Sequence, residues 1–557
     1  MPRGDTERGE RLARTGLVVA MALSALTLLL LGRNLTFWSD ELDWLTFGND
    51  FDPGHLLTPH GSHLIATNRV IYEALPRIFG TDYLPFRIVG IACLQACAVL
   101  VFVLVKRRMG SLVALAPAVV LLFFGSAQDM TLSPLGIPFT LSIAFGLAAF
   151  LAVERGDLRG DVAGVALLTL AGLSHTFGTI IALGVAVYLL VDPGSRRRIW
   201  VAAVPIVLWI AWWLWARQFH QSIASGSDVF GVPLFIFKAA GAAIEGCFGI
   251  PPNLGGKIGP LALALRIVFD LVAVAAAVGL AVLIKRTRGT PWLWAYLATI
   301  FAFWGGVALA EGTGRGPETP RYLFFGAIML VLIAAEALRS REIPVRWRRP
   351  LLAAWAVALL CNVALLFYEI PGFDDDATTV QAQIAMIELG GERVPPTLQV
   401  RDLDPPASPH IPSPAAVLDQ FTDEIGPLGF TLDEVRAQPE GVRLGADFVL
   451  VRSLQIKSLP VPKDAVPAAA DCRTFRPGDD GYTDMDLRPG ANFLELVRDT
   501  GEPGAPLLLG RFADVASVPV GTLTRGRELG LLLPDDAAAE PWSARASGRV
   551  RACHLTP

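Results

Sequence analysis

Apolar residues form long unbroken runs over the first two thirds of the chain and short alternating runs over the last third. Eight runs, at residues 15–31, 84–105, 135–153, 199–216, 261–284, 292–310, 322–338 and 351–368, approach the roughly 20 residues that a membrane-spanning helix needs. Three shorter runs, at 112–125, 162–173 and 177–191, read as half-helices or as spans lengthened by their flanks. After Tyr368 the pattern changes: residues 446–454, 492–497, 507–512, 517–522 and 529–533 are brief runs of strand character, set between Gly, Pro and Asp turns. The pattern predicts an α-helical polytopic membrane protein of about eleven transmembrane helices. It carries a C-terminal extracytoplasmic α+β domain, β-sandwich-like at its end. The expected divisions are a transmembrane domain at 1–368, a linker and mixed region at 369–470, and a β-rich domain at 471–557. Within the middle region, 372–376 and 405–414 are linker-like, whereas 379–389 and 415–423 are helical in pattern.

Charge assigns sides to these spans. Of the 557 residues only 18% are charged, and mean hydropathy is +0.49. The total of −4 hides two unlike parts: residues 1–368 carry 30 Lys and Arg against 22 Asp and Glu, and residues 369–557 carry 17 against 29. The basic residues cluster at helix ends, which leaves no nucleic-acid-binding stripe. The clusters are Arg3/Arg8/Arg11/Arg14, Lys106-Arg107-Arg108, Arg155/Arg159, Arg196-Arg197-Arg198, Lys285-Arg286/Arg288 and Arg339/Arg341/Arg346/Arg348/Arg349. With eleven spans all of them fall on one side, and positive loops are cytoplasmic. The N-terminus is then inside and the chain after Tyr368 outside the cytoplasmic membrane. The first run lacks a small-residue cleavage site and is followed by Arg33, so it reads as a retained helix rather than a signal peptide. Residues 63–79, in the first outer loop, alternate as an amphipathic helix suited to the interface plane, with Asn68, Arg69 and Arg77 on the polar side. Residues 232–250 read as an interfacial or re-entrant helix.

Ionisable residues close to the membrane are costly and are therefore functional candidates. Trp38-Ser39-Asp40-Glu41-Leu42-Asp43-Trp44 follows the first span directly. Carboxylates this close repel one another, which raises the proton affinity of at least one and suits a general base or a metal ligand; the alternative is a solvated cap between two interfacial Trp. His55, His60 and His63 form a second group. Glu311, Arg315, Glu318, Arg321 and Tyr322 form a third, where Arg315 and Arg321 depart from the positive-inside pattern. A guanidinium there is suited to grip a lipid phosphate. Asp129, His175 and the pair Arg266/Asp270 are further candidates. Cys93, Cys97, Cys247 and Cys361 lie in or beside apolar runs and read as small apolar residues. Cys472 and Cys553 bracket the β-rich region, and outside the cytoplasm such a pair is expected to form a disulfide. There is no CxxC or His/Cys pattern for a metal.

An acidic pair after the first span, a long first outer loop, many spans and an outer C-terminal domain together resemble the GT-C superfamily of membrane glycosyltransferases. Asp40-Glu41, residues 60–87 and Pro320-Arg321-Tyr322-Leu323 carry the resemblance. It lies mostly in the first third of the chain. It implies a polyprenyl-phosphate-linked sugar as donor and a glycan, lipid or protein as acceptor, with membrane lipids around the chain. By the same resemblance Asp40 acts as base with Glu41 as its partner, and the residues around Arg321, with Arg315 and Tyr322, bind donor phosphate. Asp43, His60 and His63 join the substrate-binding set; His60-Gly61-Ser62-His63 stands where some members have a histidine followed by prolines. Some members use a divalent metal and others none. The competing readings are a transporter or lipid-carrier flippase, disfavoured because no internal repeat is visible, and a non-catalytic envelope scaffold.

Overall fold

The computed structural model describes the chain apart from residues 1–2, 48–50, 220–228, 251–259, 288, 311–315, 340, 342–343, 404–409, 457–458, 461–471, 499–503, 526–527, 537, 539 and 556–557. Its helices are α1 (Arg3–Leu31), α2 (Asp40–Thr46), α3 (Pro53–Leu57), α4 (Ala66–Phe79), α5 (Leu84–Met109), α6 (Ser111–Leu122), α7 (Gln128–Thr131), α8 (Ile137–Val153), α9 (Leu158–Ser174) and α10 (Phe177–Val191). They continue with α11 (Trp200–Ala216), α12 (Val232–Cys247), α13 (Pro260–Thr287), α14 (Pro291–Leu309), α15 (Pro320–Ala337), α16 (Val345–Gly390), α17 (Ala415–Glu424), α18 (Leu432–Arg436) and α19 (Glu440–Ser453). The chain forms two compact units. One comprises Met1–Asn34, Asp50–Leu75 and Tyr83–Gly372; the other comprises Leu35–Asn49, Pro76–Asp82 and Phe373–Pro557.

The first unit is a bundle of apolar helices, and the chain is a polytopic membrane protein. Among the described residues eight helices are long and apolar enough to cross a membrane, and they coincide with the eight strong apolar runs. A ninth is added if Ser111–Leu122 and Gly125–Thr131, bent by 43° at their break, count as one span. The count is thus lower than the eleven expected, for reasons of length. Helices α9 and α10 have 17 and 15 residues. At about 1.5 Å per residue they reach roughly 22–26 Å, short of a hydrocarbon core of about 30 Å. They form a hairpin about His175 and Thr176, and α10 packs on α14 through Gly184. A Cβ there would lie 1.9 Å from Thr299 Oγ1, the close approach that small residues give helices in lipid. Helix α12 packs against α13, α14 and α15 with Phe235, Ala239, Ala243 and Glu245 buried, so it belongs to the bundle rather than to an interface plane.

Ion pairs gather several helix ends. Lys106 Nζ lies 2.6 Å from Glu10, and Arg107 and Arg108 reach Glu154 at 2.7 and 2.6 Å. Arg108 also pairs with Glu336 and donates to Tyr296 Oη at 2.9 Å, while Thr290 donates to Glu336 at 2.8 Å. Arg198 pairs with Asp161 at 2.6 Å and donates to the Val153 carbonyl at 2.8 Å. These contacts tie the start of α1, α9 and α14 to the end of α5, α8 and α15. Helix α4 departs from the amphipathic reading: Asn68, Arg69 and Glu73 are buried while Ile78 is exposed. The buried polar face is held by hydrogen bonds, Arg69 Nη1 to the His55 carbonyl at 2.9 Å and the Phe51 amide to Glu73 at 2.9 Å.

Residues 372–376 lie inside α16 and are helical rather than linker, despite Pro371. Residues 446–454 fall largely in α19 rather than in a strand. Ala446, Val449, Leu450 and Ser453 are buried at helical spacing, a period that the Val-rich composition conceals. The strands are β1 (Leu459–Pro460), β2 (Cys472–Phe475), β3 (Tyr482–Leu487), β4 (Gly490–Arg498), β5 (Ala505–Gly510), β6 (Val518–Leu523), β7 (Leu529–Leu533), β8 (Trp542–Ser547) and β9 (Arg549–Leu555). They form two antiparallel sheets, ordered β1-β7-β4-β9-β2 and β3-β8-β5-β6. Cys472 sits opposite Cys553 in the β2–β9 pair, and the two are disulfide-bonded.

Asp447 joins α19 to the sheets. Its carboxylate accepts the amides of Arg511, Phe512 and Ala513 at 2.9, 2.9 and 3.0 Å. Asp447→Ala would leave three amides without their acceptor, at a cost of about 3 kcal/mol. Thermal unfolding of the full chain in detergent, set against wild type, measures it; an unchanged midpoint would refute the assignment.

Candidate active site

The acidic motif belongs to the second unit. Ser39 enters α2 with φ 53° and ψ −133°, a backbone conformation that a residue with a Cβ rarely adopts. Its amide donates to the His410 carbonyl at 2.7 Å. The Trp38 indole contacts the rings of Phe373 and His410, with centroids 5.4 and 5.0 Å away. Asp40 is the first residue of α2. Glu41, Leu42, Trp44 and Leu45 are buried, whereas Asp40 and Asp43 are half-buried. A three-residue spacing puts Asp40 and Asp43 on one helix face. Asp43 Oδ1 accepts from Ser413 Oγ at 3.0 Å, and Ser413 in turn lies 3.3 Å from Thr46 Oγ1.

The histidines and Arg321 belong to the first unit. His60 and His63 exchange both backbone hydrogen bonds at 2.9 Å around a two-residue turn. Gly61 and Ser62 have φ of 50° and 71°, the double positive φ of a type I′ turn. The turn directs His63 towards the α9–α10 hairpin. Its Nδ1 is 2.8 Å from Thr176 Oγ1, and its ring lies 4.3 Å from that of His175. His175 Nδ1 accepts the Phe177 amide at 3.3 Å, so the proton of its neutral form sits on Nε2. His175 touches the Phe139 ring at 4.4 Å, and Phe139 in turn lies 5.6 Å from the Arg321 guanidinium.

Arg321 occupies the first turn of α15, after Pro320, and is also 5.9 Å from the ring of Tyr322. Its Nε is buried and has no hydrogen-bond partner among the described residues. Asp129 lies within its electrostatic reach. Thus His63, Arg321 and Tyr322 fall in one line of side chains. Asp40, Glu41 and Asp43 belong to the other unit, and Glu311 and Arg315 lie outside the described residues, as does the Arg266 side chain. Phe139, the residue linking His175 to Arg321, has no signal in the sequence, being one of 30 phenylalanines. The first unit also holds a cavity of about 380 Å³, walled by Leu57, Leu64, Leu173, Leu208, Trp209 and Trp212 among others.

No known family's model and no curated protein matches the chain. Among the described residues no three His, Cys, Asp or Glu side chains are grouped to hold a metal ion. What the arrangement offers is a half-buried guanidinium near two aromatic rings, an imidazole pair joined to it through the Phe139 ring, and, in the second unit, a carboxylate cluster on a constrained turn.

Proposed function

We propose that the chain is a GT-C-type glycosyltransferase. It moves a sugar from a polyprenyl-phosphate donor to a cell-envelope acceptor on the outer face of the cytoplasmic membrane. The observation that carries this reading is the environment of Arg321. A guanidinium held against Phe139 and Tyr322, with a buried Nε lacking a protein partner among the described residues, is prepared for an anion. His63 and His175 add imidazole rings that connect to Arg321 through Phe139. The cavity walled by Leu57 and Trp209 has the apolar character that isoprenoid carbon requires.

The orientation has its own support. The ion pairs of Lys106, Arg107, Arg108 and Arg198 join helix ends that the charge pattern puts inside. Asp40, Arg321 and the β-rich domain are then outside. An eleven-crossing path needs α9, α10 and the bent α6–α7 segment each to count as one crossing, with local thinning of the bilayer over the short helices.

In the reaction, the acceptor hydroxyl oxygen attacks the anomeric carbon as the bond from that carbon to the phosphate oxygen breaks. Polyprenyl phosphate leaves with the electron pair, and Arg321 neutralises its charge. The hydroxyl proton passes to Asp40, with Glu41 beside it as partner.

Membranes containing the chain, supplied with labelled polyprenyl-phosphate-linked mannose, glucose or arabinose, should release polyprenyl phosphate and transfer label. Arg321→Ala should weaken donor binding by about 10- to 100-fold, the loss of a charge-assisted contact worth about 1.5–3 kcal/mol, with the protein still folded. Unchanged donor affinity would overturn the Arg321 role. Movement of intact donor across the membrane without release of polyprenyl phosphate would replace the enzyme with a flippase.

A further inference from the structure

We infer that the segment His410–Ser413 of the outer domain is a positioning clamp for the Asp40 turn, so that the domain completes the base rather than merely adjoining it. The inference rests on the reading of Asp40 as base. Its grounds are six contacts, all within the second unit. The His410 carbonyl accepts the Ser39 amide at 2.7 Å and thereby holds the backbone at φ 53°, where a serine would not otherwise stay. The His410 ring packs on Trp38 at 5.0 Å, and Phe373 of α16 packs on Trp38 at 5.4 Å. Ser413 Oγ donates to Asp43 at 3.0 Å and lies 3.3 Å from Thr46 Oγ1. Asp376 stands 3.8 Å from His410 Nε2 and helps to hold that ring.

The contacts bracket Asp40 in the chain. Trp38 and Ser39 are fixed before it and Asp43 and Thr46 after it, in each case by residues more than 300 positions away. Helix α2 has only seven residues, too few to hold itself together in isolation. Its direction must come from what it packs on. Ser413 is 1% exposed and Glu41 fully buried, so the fit leaves little slack. A carboxylate that must meet a hydroxyl proton at hydrogen-bond distance loses rate steeply when displaced. The sequence pattern in residues 405–414 is linker-like; 405–409 lie outside the described residues, and the contacts give His410–Ser413 a task.

The test uses the full chain in membranes with the donor set named above. Ser413→Ala and His410→Ala should each lower kcat by about 10- to 100-fold with the KM for the donor unchanged. Ser413→Thr and His410→Phe, which keep the hydroxyl and the ring on Trp38, should restore kcat. Amide exchange over residues 38–46 should rise in the two alanine variants and return to wild-type values in the conservative ones. If Ser413→Ala does not fold, His410→Ala with its His410→Phe rescue decides alone. Wild-type kcat in the alanine variants, alongside a dead Asp40→Asn, overturns the clamp and leaves the base reading intact. Full activity in Asp40→Asn overturns the base reading instead. Failure of His410→Phe to rescue, or an equal fall in kcat and rise in KM, overturns the clamp in favour of a general structural role.

Discussion

On the reading of Asp40 as general base, Asp40→Asn is expected to abolish most sugar transfer, with kcat falling by about 10²- to 10⁴-fold, the span that a positioned general base contributes. The substitution keeps the size and shape of the side chain and removes its charge and its ability to take a proton. Donor KM should therefore stay near wild type, because the base acts in the transition state and not in holding the ground state. The turn should also persist, since the Ser39–His410 and Ser413–Asp43 bonds do not involve Asp40. Glu41→Gln probes the partner. Glu41 is fully buried in the second unit, so its variant should lower both the thermal midpoint and kcat. Release of labelled polyprenyl phosphate and the thermal midpoint in detergent separate the two effects. Transfer by Asp40→Asn within threefold of wild type would refute the base.

Arg108→Met is expected to cost the membrane unit about 3–5 kcal/mol, the penalty for stranding the partners of a buried ion pair. The Arg108 side chain is 3% exposed and that of Glu336 is not exposed at all. Glu336 keeps Thr290 at 2.8 Å and Arg339 at 3.4 Å, but neither replaces a guanidinium that also binds Glu154, Tyr296 and the Leu104 carbonyl. The double variant Arg108→Met/Glu336→Leu should recover part of the loss, because well-packed apolar groups often substitute for a buried pair without cost. Melting in detergent gives the comparison. A double variant no better than Arg108→Met alone would show that the pair is not the source of the loss.

The strong apolar runs foretold the bundle because membrane burial needs only composition and length. The weak runs did not, because 15 or 17 apolar residues fit equally well as a short span, a half-helix or a buried hairpin. Strands β4 to β7 were legible from their Leu- and Val-rich runs. Strands β3 and β8 were missed because their solvent face is polar. In β8, Trp542, Ala544 and Ala546 are buried and alternate with Ser543, Arg545 and Ser547, too small a contrast to stand out. The 446–454 run misled through its β-branched content, although the helical period of Ala446, Val449 and Leu450 was present.

The candidate site divides the same way. Asp40, Glu41, His63 and Arg321 were chosen for chemistry that shows in a residue's identity. Phe139, His410 and Ser413 matter through what they touch, and long-range contact leaves no trace in a single sequence. The polar face of α4 was misassigned for that reason too: Asn68 and Arg69 read as solvent-facing until their burial and the His55 contact are known.

The strand order β1-β7-β4-β9-β2 has a consequence for synthesis. Strand β9 inserts between β4 and β2, so β2 and β4 emerge well before their shared neighbour and wait for it. The sheet cannot assemble in the order in which the ribosome delivers it. During that delay the facing edges of β2 and β4 are open to pairing with other chains. Cys472 is then a thiol without its mate, exposed to capture by any oxidised partner until Cys553 arrives. Chaperones and thiol–disulfide isomerases are therefore expected to matter more for this domain than for one whose strands pair as they appear.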